Sequence, residues 1–208
     1  MIRRAILFTD GVSDRPLAAH LEAMCVERGV RVHVTAPEFE RLPDPPGRRI
    51  SDRLEFLLRG EQSPDLLFVH RDAEKLSVEH RLNEIDAAVQ QVLAGLPTVP
   101  VIPVRMTEAW LLADQQLIRR VAGRPNSTDD LEIPGLHRLE SLPDPKGVLQ
   151  KALAIASGTS GCHRKQFDRR FSSHRRLLVE RLDRSGPVSH LPRWQALESD
   201  LGRVLGAL

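Results

Sequence analysis

Tyrosine is absent from the 208-residue chain, aromatic residues make up only 4% of it, and cysteine occurs twice. Cys25 and Cys162 lie far apart and neither belongs to a CxxC pair, so neither a disulfide framework nor a paired-thiolate zinc site is indicated. Long apolar runs are also missing. Nothing approaches the ~20 residues that a bilayer-spanning helix needs. The basic start Met1-Ile2-Arg3-Arg4 leads into an apolar stretch, Ala5–Phe8, that stops at Thr9-Asp10. A secretory signal requires ~7–15 apolar residues, so the expectation is a cytoplasmic protein without a membrane partner. No P-loop, no GxGxxG and no Ser nucleophile elbow is found, which leaves ATP binding, dinucleotide binding and α/β-hydrolase chemistry without support.

What is present suits a packed protein: 41% apolar and 28% charged residues, in a length that suits one domain of ordinary size, or one domain plus a small appendage. The formal charge of +2 is unevenly spread. Residues 163–208 carry a net +5 and residues 1–162 a net −3. An acidic front with a basic tail fits a phosphate polymer held at one end and processed at the other, and it fits a charged surface helix equally well.

Strand and helix signals alternate through residue 123. Strands are expected over 4–9, 30–35, 65–70 and 99–104, with Pro100 and Pro103 favouring an edge position for the last. Between them run helical stripes: Leu17, Leu21 and Met24; Leu54, Leu57 and Leu58 behind a Ser51 cap; and Val78, Leu82, Ile85, Val89 and Val92. A last helix carries Trp110, Leu111, Leu117, Ile118 and Val121 and stops at Gly123. Four strand–helix repeats predict a doubly wound, mostly parallel four-stranded α/β sheet. Residues 1–123 form this domain. Residues 124–208 read as an irregular linker followed by a basic helical extension near 146–157, 164–184 and 192–206.

In an open α/β sheet, ligands bind at the carboxyl ends of the strands. Acids fall there three times: Thr9-Asp10-Gly11-Val12-Ser13-Asp14, His70-Arg71-Asp72-Ala73-Glu74 and Arg105-Met106-Thr107-Glu108. With strand order 2-1-3-4, the first and third strands are neighbours ~4.8 Å apart, which brings Asp10 toward Asp72 and Glu74. Carboxylates this close need a cation or shared protons, and hard oxygen donors suit Mg²⁺ or Mn²⁺. Asp72 and Glu74, two apart, would share one face of a regular strand, and Gly11 would allow a tight turn beside Asp10. The same residues also serve helix starts: Ser13 or Asp14 as N-cap ahead of Pro16, and Glu108 beside a helix N-terminus.

Asp10-Gly11 followed by Ser13-Asp14 resembles the Glu-Gly-(Ser/Thr)-(Asp/Glu) opening of TOPRIM domains, and Asp72-Ala73-Glu74 resembles their Asp-x-Asp motif. The stretch PVIPVRMTEAWLLAD (100–114) and Asp144-Pro145-Lys146 are similar to one bacterial protein family with a TOPRIM-like fold. The resemblance covers roughly residues 4–155. It implies a Mg²⁺- or Mn²⁺-dependent phosphodiester-cleaving nuclease of prokaryotic defence or nucleic-acid processing, acting on DNA or RNA, with a protein partner from a defence cassette as a further expectation. It assigns general acid or base chemistry to Asp10 and metal binding to Asp72 and Glu74, with Asp10 beside them. Asp10 replaces the family's Glu and Glu74 its second Asp, each a change of one methylene.

Glu108 is the further catalytic candidate, completing the metal shell or anchoring its waters. Gly11, Ser13, Lys146 (in a first helical turn behind Asp144 and Pro145), Arg169 and Arg170 are the substrate-binding candidates. The Pro-rich loop 37–49, with Arg41, Arg48 and Arg49, leaves the active edge and could close over a substrate. Over 163–184 one helix would place Phe167, Phe171, His174, Leu178 and Arg181 on one face and Arg169, Arg170, Arg175 and Arg176 largely elsewhere. Cys162-His163 with His174 does not match a zinc spacing. Two other readings remain: a non-catalytic TOPRIM-fold binding subunit acting with a partner protein, and a small phosphoester hydrolase.

Overall fold

The computed structural model describes residues 2–60 and 63–208. Four strands, β1 (Arg3–Phe8), β2 (Val32–Thr35), β3 (Leu66–His70) and β4 (Thr98–Val101), form one sheet. Every pairing is parallel and the order is β2-β1-β3-β4. The protein is therefore a doubly wound α/β fold. Burial follows position in the sheet. All five residues of central β3 are buried, whereas the edge strands alternate, β2 as buried–exposed and β4 as half-buried–buried. Pro100 sits on edge strand β4, where a missing N–H does least harm.

Helices α1 (Leu17–Glu27), α2 (Ile50–Leu58) and α3 (Val78–Leu93) make the crossovers. β1–α1–β2 moves one way across the sheet, while β2–α2–β3 and β3–α3–β4 move the other. Right-handed crossovers thus put α1 on one face and α2 and α3 on the opposite one, and α2 does pack on α3. Ser77 caps α3 by accepting the His80 amide at 3.1 Å. The chain start before α2 is held differently from expectation: the helix begins at Ile50, and Asp52 Oδ2 accepts the Arg49 amide, so Ser51 lies within the helix.

The chain divides into two compact units, one comprising Met1–Arg71, Leu76–Ile102 and Ala196–Leu208, the other Asp72–Lys75 and Pro103–Gln195. The sheet belongs to the first. The second holds α4 (Glu108–Leu111), α5 (Gln115–Val121), α6 (Pro145–Ser157), α7 (Gly161–Arg169) and α8 (Phe171–Glu180). A final helix, α9 (Pro192–Gly206), begins in the second unit and ends in the first. Trp110 and Trp194 pack edge to face in the second unit, with centroids 5.1 Å apart and both rings buried.

Two predicted helices are each broken into two. The one expected through Trp110–Val121 stops at Leu111, and Asp114 starts α5 anew by accepting the Leu117 amide at 2.8 Å. The one expected over 163–184 breaks at Arg170, because its halves bury different things. α7 buries no residue, whereas α8 turns Arg175, Leu178 and Val179 inward. No helix among the described residues is long and apolar enough to cross a membrane.

Candidate functional site

The direction in which successive strands are added reverses between β1 and β3, and that switch point is where ligands collect in open α/β sheets. The residues just beyond these two strands are Asp10 and Arg71, and they are ion-paired, Arg71 Nη1 donating to Asp10 Oδ1. Arg71 Nη2 also lies 3.4 Å from Glu84 Oε1 and donates to the Arg48 carbonyl.

Beside this pair lies a cavity of about 220 Å³ lined by Asp10, Gly11, Arg15, Phe39, Arg48 and Arg53 among others. Gly11 starts a tight turn beside Asp10, its carbonyl accepting the Asp14 amide at 3.2 Å, but it is extended (φ −136°, ψ 156°), a conformation open to any residue. Ser13 sits in a short 3₁₀ turn, Val12–Asp14, with Asp14 buried. Pro16, not Ser13 or Asp14, occupies the N-cap position of α1.

Arg53 projects from α2 and donates from Nη1 to the Thr9 carbonyl at 2.9 Å. Its guanidinium carbon stands 5.3 Å from the Phe39 ring centroid and 6.0 Å from that of Phe8. Burial, with the Arg71 and Arg48 charges adding, pushes the Arg53 guanidinium down, and Asp10 and Glu40 oppose the shift. An arginine nevertheless stays charged. The loop after β2 is fastened over the same place. Phe39 is buried and meets Phe8 and Phe56 edge-on, and Arg15 pairs with Glu38 and Glu40.

Most telling, the Nε–H groups of Arg15, Arg53 and Arg71 are all buried without an acceptor among the described residues. A buried donor left unpaired is expensive, and among the described residues it occurs three times in this cluster. Four guanidinium groups around a strand end can grip phosphate oxygens in bidentate fashion.

The second unit holds the rest of the predicted acids. Asp72 and Glu74 do not lie on a strand: β3 has ended at His70, and Glu74 takes a left-handed backbone, φ 53°. They therefore do not share a strand face. Asp72 Oδ1 accepts the Thr107 amide at 3.0 Å and faces its hydroxyl at 3.4 Å. Glu74 is exposed; its amide donates to the Arg105 carbonyl, and Arg105 Nη1 donates back to the Glu74 carbonyl. Arg105 is left-handed as well, φ 65°. Two facing non-glycine residues in this strained region are of the kind found at functional sites.

Glu108 is not available to a metal shell. It is buried, and Arg175 Nε donates to its Oε1 at 2.8 Å. Among the described residues no three His, Cys, Asp or Glu side chains form a group able to hold a metal ion. Asp10 faces Arg71, Asp72 faces Thr107 and Glu108 faces Arg175. This donor set does not fit a ready-formed Mg²⁺ or Mn²⁺ centre.

Of the remaining candidates, Lys146 is exposed in the first turn of α6, behind an Asp144 cap that accepts the Gly147 amide at 2.9 Å. Arg169 ends α7 and Arg170 stands at the α7–α8 break, both exposed. Sequence reasoning missed the guanidinium cluster itself. Arg71 was visible at a strand end, but Arg15 and Arg53 come from separate turns and helices, with no motif to join them. No family model, curated protein or solved structure matches the chain.

Proposed function

We propose that the chain binds the phosphodiester backbone of a nucleic acid at the carboxyl ends of β1 and β3 and hydrolyses it. The supporting observation is the guanidinium cluster of Arg15, Arg48, Arg53 and Arg71 around Asp10, with three buried Nε–H groups lacking an acceptor among the described residues. In this reading the arginines hold the non-bridging phosphate oxygens and neutralise charge that grows as water attacks phosphorus. Asp10, oriented by Arg71, is the group placed to take the proton of that water, and the departing ester oxygen leaves with a proton from solvent. The resemblance to TOPRIM domains agrees with this reaction class. Lys146, Arg169 and Arg170 supply exposed charge for further backbone contacts.

A second reading has its own observation. Asp10, Asp72 and Glu108 each already face a protein partner, which suits a non-catalytic phosphate-binding subunit that acts with a partner protein.

Nicking of supercoiled plasmid, run with Mg²⁺, Mn²⁺ or EDTA, tests both. Variants Asp10→Ala, Arg53→Ala and the pair Asp72→Asn with Glu74→Gln run beside the native chain. Nicking abolished by Asp10→Ala and weakened by Arg53→Ala supports hydrolysis. Dependence on the cation together with loss in the Asp72/Glu74 pair would place a metal in the reaction. DNA binding without nicking, sensitive to Arg53→Ala, would establish the second reading. Binding that ignores Arg53→Ala would overturn both.

A further inference from the structure

Within the second unit, α6, α7 and α8 enclose another cavity, of about 360 Å³, lined by Gln150, Lys151, Arg164, Phe167, Phe171 and His174 among others. That volume is in the ~300–1,000 Å³ range of small-molecule sites. Phe167 and His174 are stacked, with centroids 4.3 Å apart and planes 30° from parallel. Both are only half-buried, as is Phe171. α7 buries none of its residues, so core packing does not account for an aromatic at 167.

His174 adds a polar handle. Its Nδ1 is buried and has no hydrogen-bond partner among the described residues. Burial, with Arg170 adding, pushes the imidazole down, which leaves the ring neutral at pH 7 with one nitrogen donating and the other accepting. Two cations adjoin. Lys151 pairs with Glu132 and Arg164 with Asp168, all four side chains being well exposed. Such pairs are weak and readily exchanged for a phosphate.

We propose that this cavity receives one unpaired base of a single-stranded nucleic acid, stacked on the Phe167–His174 pair, with Lys151 and Arg164 at its adjoining phosphate. A flat heterocycle uses the open aromatic face of that pair, and the cations match the charge that its phosphate brings. Stacking platforms flanked by cations are how single strands are held without sequence preference. A base within a duplex has both faces covered and could not enter. The inference rests on the preceding reading for the nature of the polymer, and it names its form as single-stranded.

The test compares a short fluorescent thymine oligonucleotide with an abasic oligonucleotide of the same length and charge, titrated by anisotropy into the full chain. One stacked base should make the thymine strand bind about tenfold more tightly. Phe167→Ala, on a helix without buried residues, should bring that ratio close to one, and His174→Leu should lower it. Arg53→Ala should weaken both strands alike and leave the ratio unchanged, so failure at the phosphate cluster is told apart from failure here. Equal binding of the two strands by the native chain, or no binding of either, would overturn the proposal. A ratio that survives Phe167→Ala and His174→Leu would overturn it too.

Discussion

Arg175 Nε donates to Glu108 Oε1 at 2.8 Å, and the two side chains are only 8% and 5% exposed. Glu108, which its position after β4 marks as a catalytic candidate, is thereby the partner of a buried cation. Removing one member of a buried ion pair costs about 3–5 kcal/mol, because the other charge stays behind. Glu108→Ala should accordingly lower the melting temperature on the order of 10 °C for a chain of this size. Replacing both at once, Glu108→Leu with Arg175→Met, should recover most of that loss. Differential scanning calorimetry of the three variants checks it.

The proposal that the guanidinium cluster holds phosphates predicts a salt signature. Each arginine that neutralises a phosphate contributes about 0.7–0.9 to the slope of log affinity against log salt. Arg53→Ala should weaken DNA binding and flatten that slope by about this amount. An exposed arginine outside the cluster, such as Arg203, whose near partner is Asp200, should leave it unchanged. Binding isotherms at several salt concentrations distinguish the two.

Glu74 holds a left-handed backbone, φ 53°, that a glycine adopts without strain. Glu74→Gly should therefore raise stability, by up to about 1 kcal/mol. The gain should be smaller for Arg105→Gly, which also loses the side-chain hydrogen bond to the Glu74 carbonyl. Urea denaturation with an unchanged slope is the measurement. A rise in stability coupled to a fall in nicking would mark Glu74 as functional rather than architectural.

His174 should make stability depend on acid. Its imidazole lies below the ordinary histidine value because burial, with Arg170 adding, disfavours the charged ring. The folded state thus binds a proton less readily than the unfolded chain. Its contribution is fully present above about pH 6.5 and is lost as pH falls through the lowered value. His174→Gln should flatten the melting-temperature profile below about pH 6.5 and leave it unchanged at pH 8.

Much of the fold was legible because local patterns and burial agree. Short β-branched and apolar runs bounded by helical stripes appear in the structure as four parallel strands, and Pro100 correctly marked an edge. Asp144 and Pro145 start α6 as their chemistry demands, and Gly123 ends its segment with φ 87°. Helix interruptions were less visible. Leu111 and Ile118, seven apart, keep helical spacing across the break at Asp114, and an apolar stripe records which residues face inward without recording that the axis has turned.

The candidate site divides along the same line. Residue spacing by itself determined that acids follow three strands of a mostly parallel sheet, and the order β2-β1-β3-β4 came from the structure. Only the tertiary structure decided what each acid faces: Arg71 for Asp10, Thr107 for Asp72, Arg175 for Glu108. The joining of the guanidinium groups belongs to that second category, although Arg71 at a strand end and Arg48 in the loop leaving the active edge were visible beforehand. Arg15, Arg48, Arg53 and Arg71 come from four separate segments, and no period or motif links them. Charge becomes a site when folding brings like groups together in a place that water cannot freely screen, and that depends on distances along no stretch of sequence.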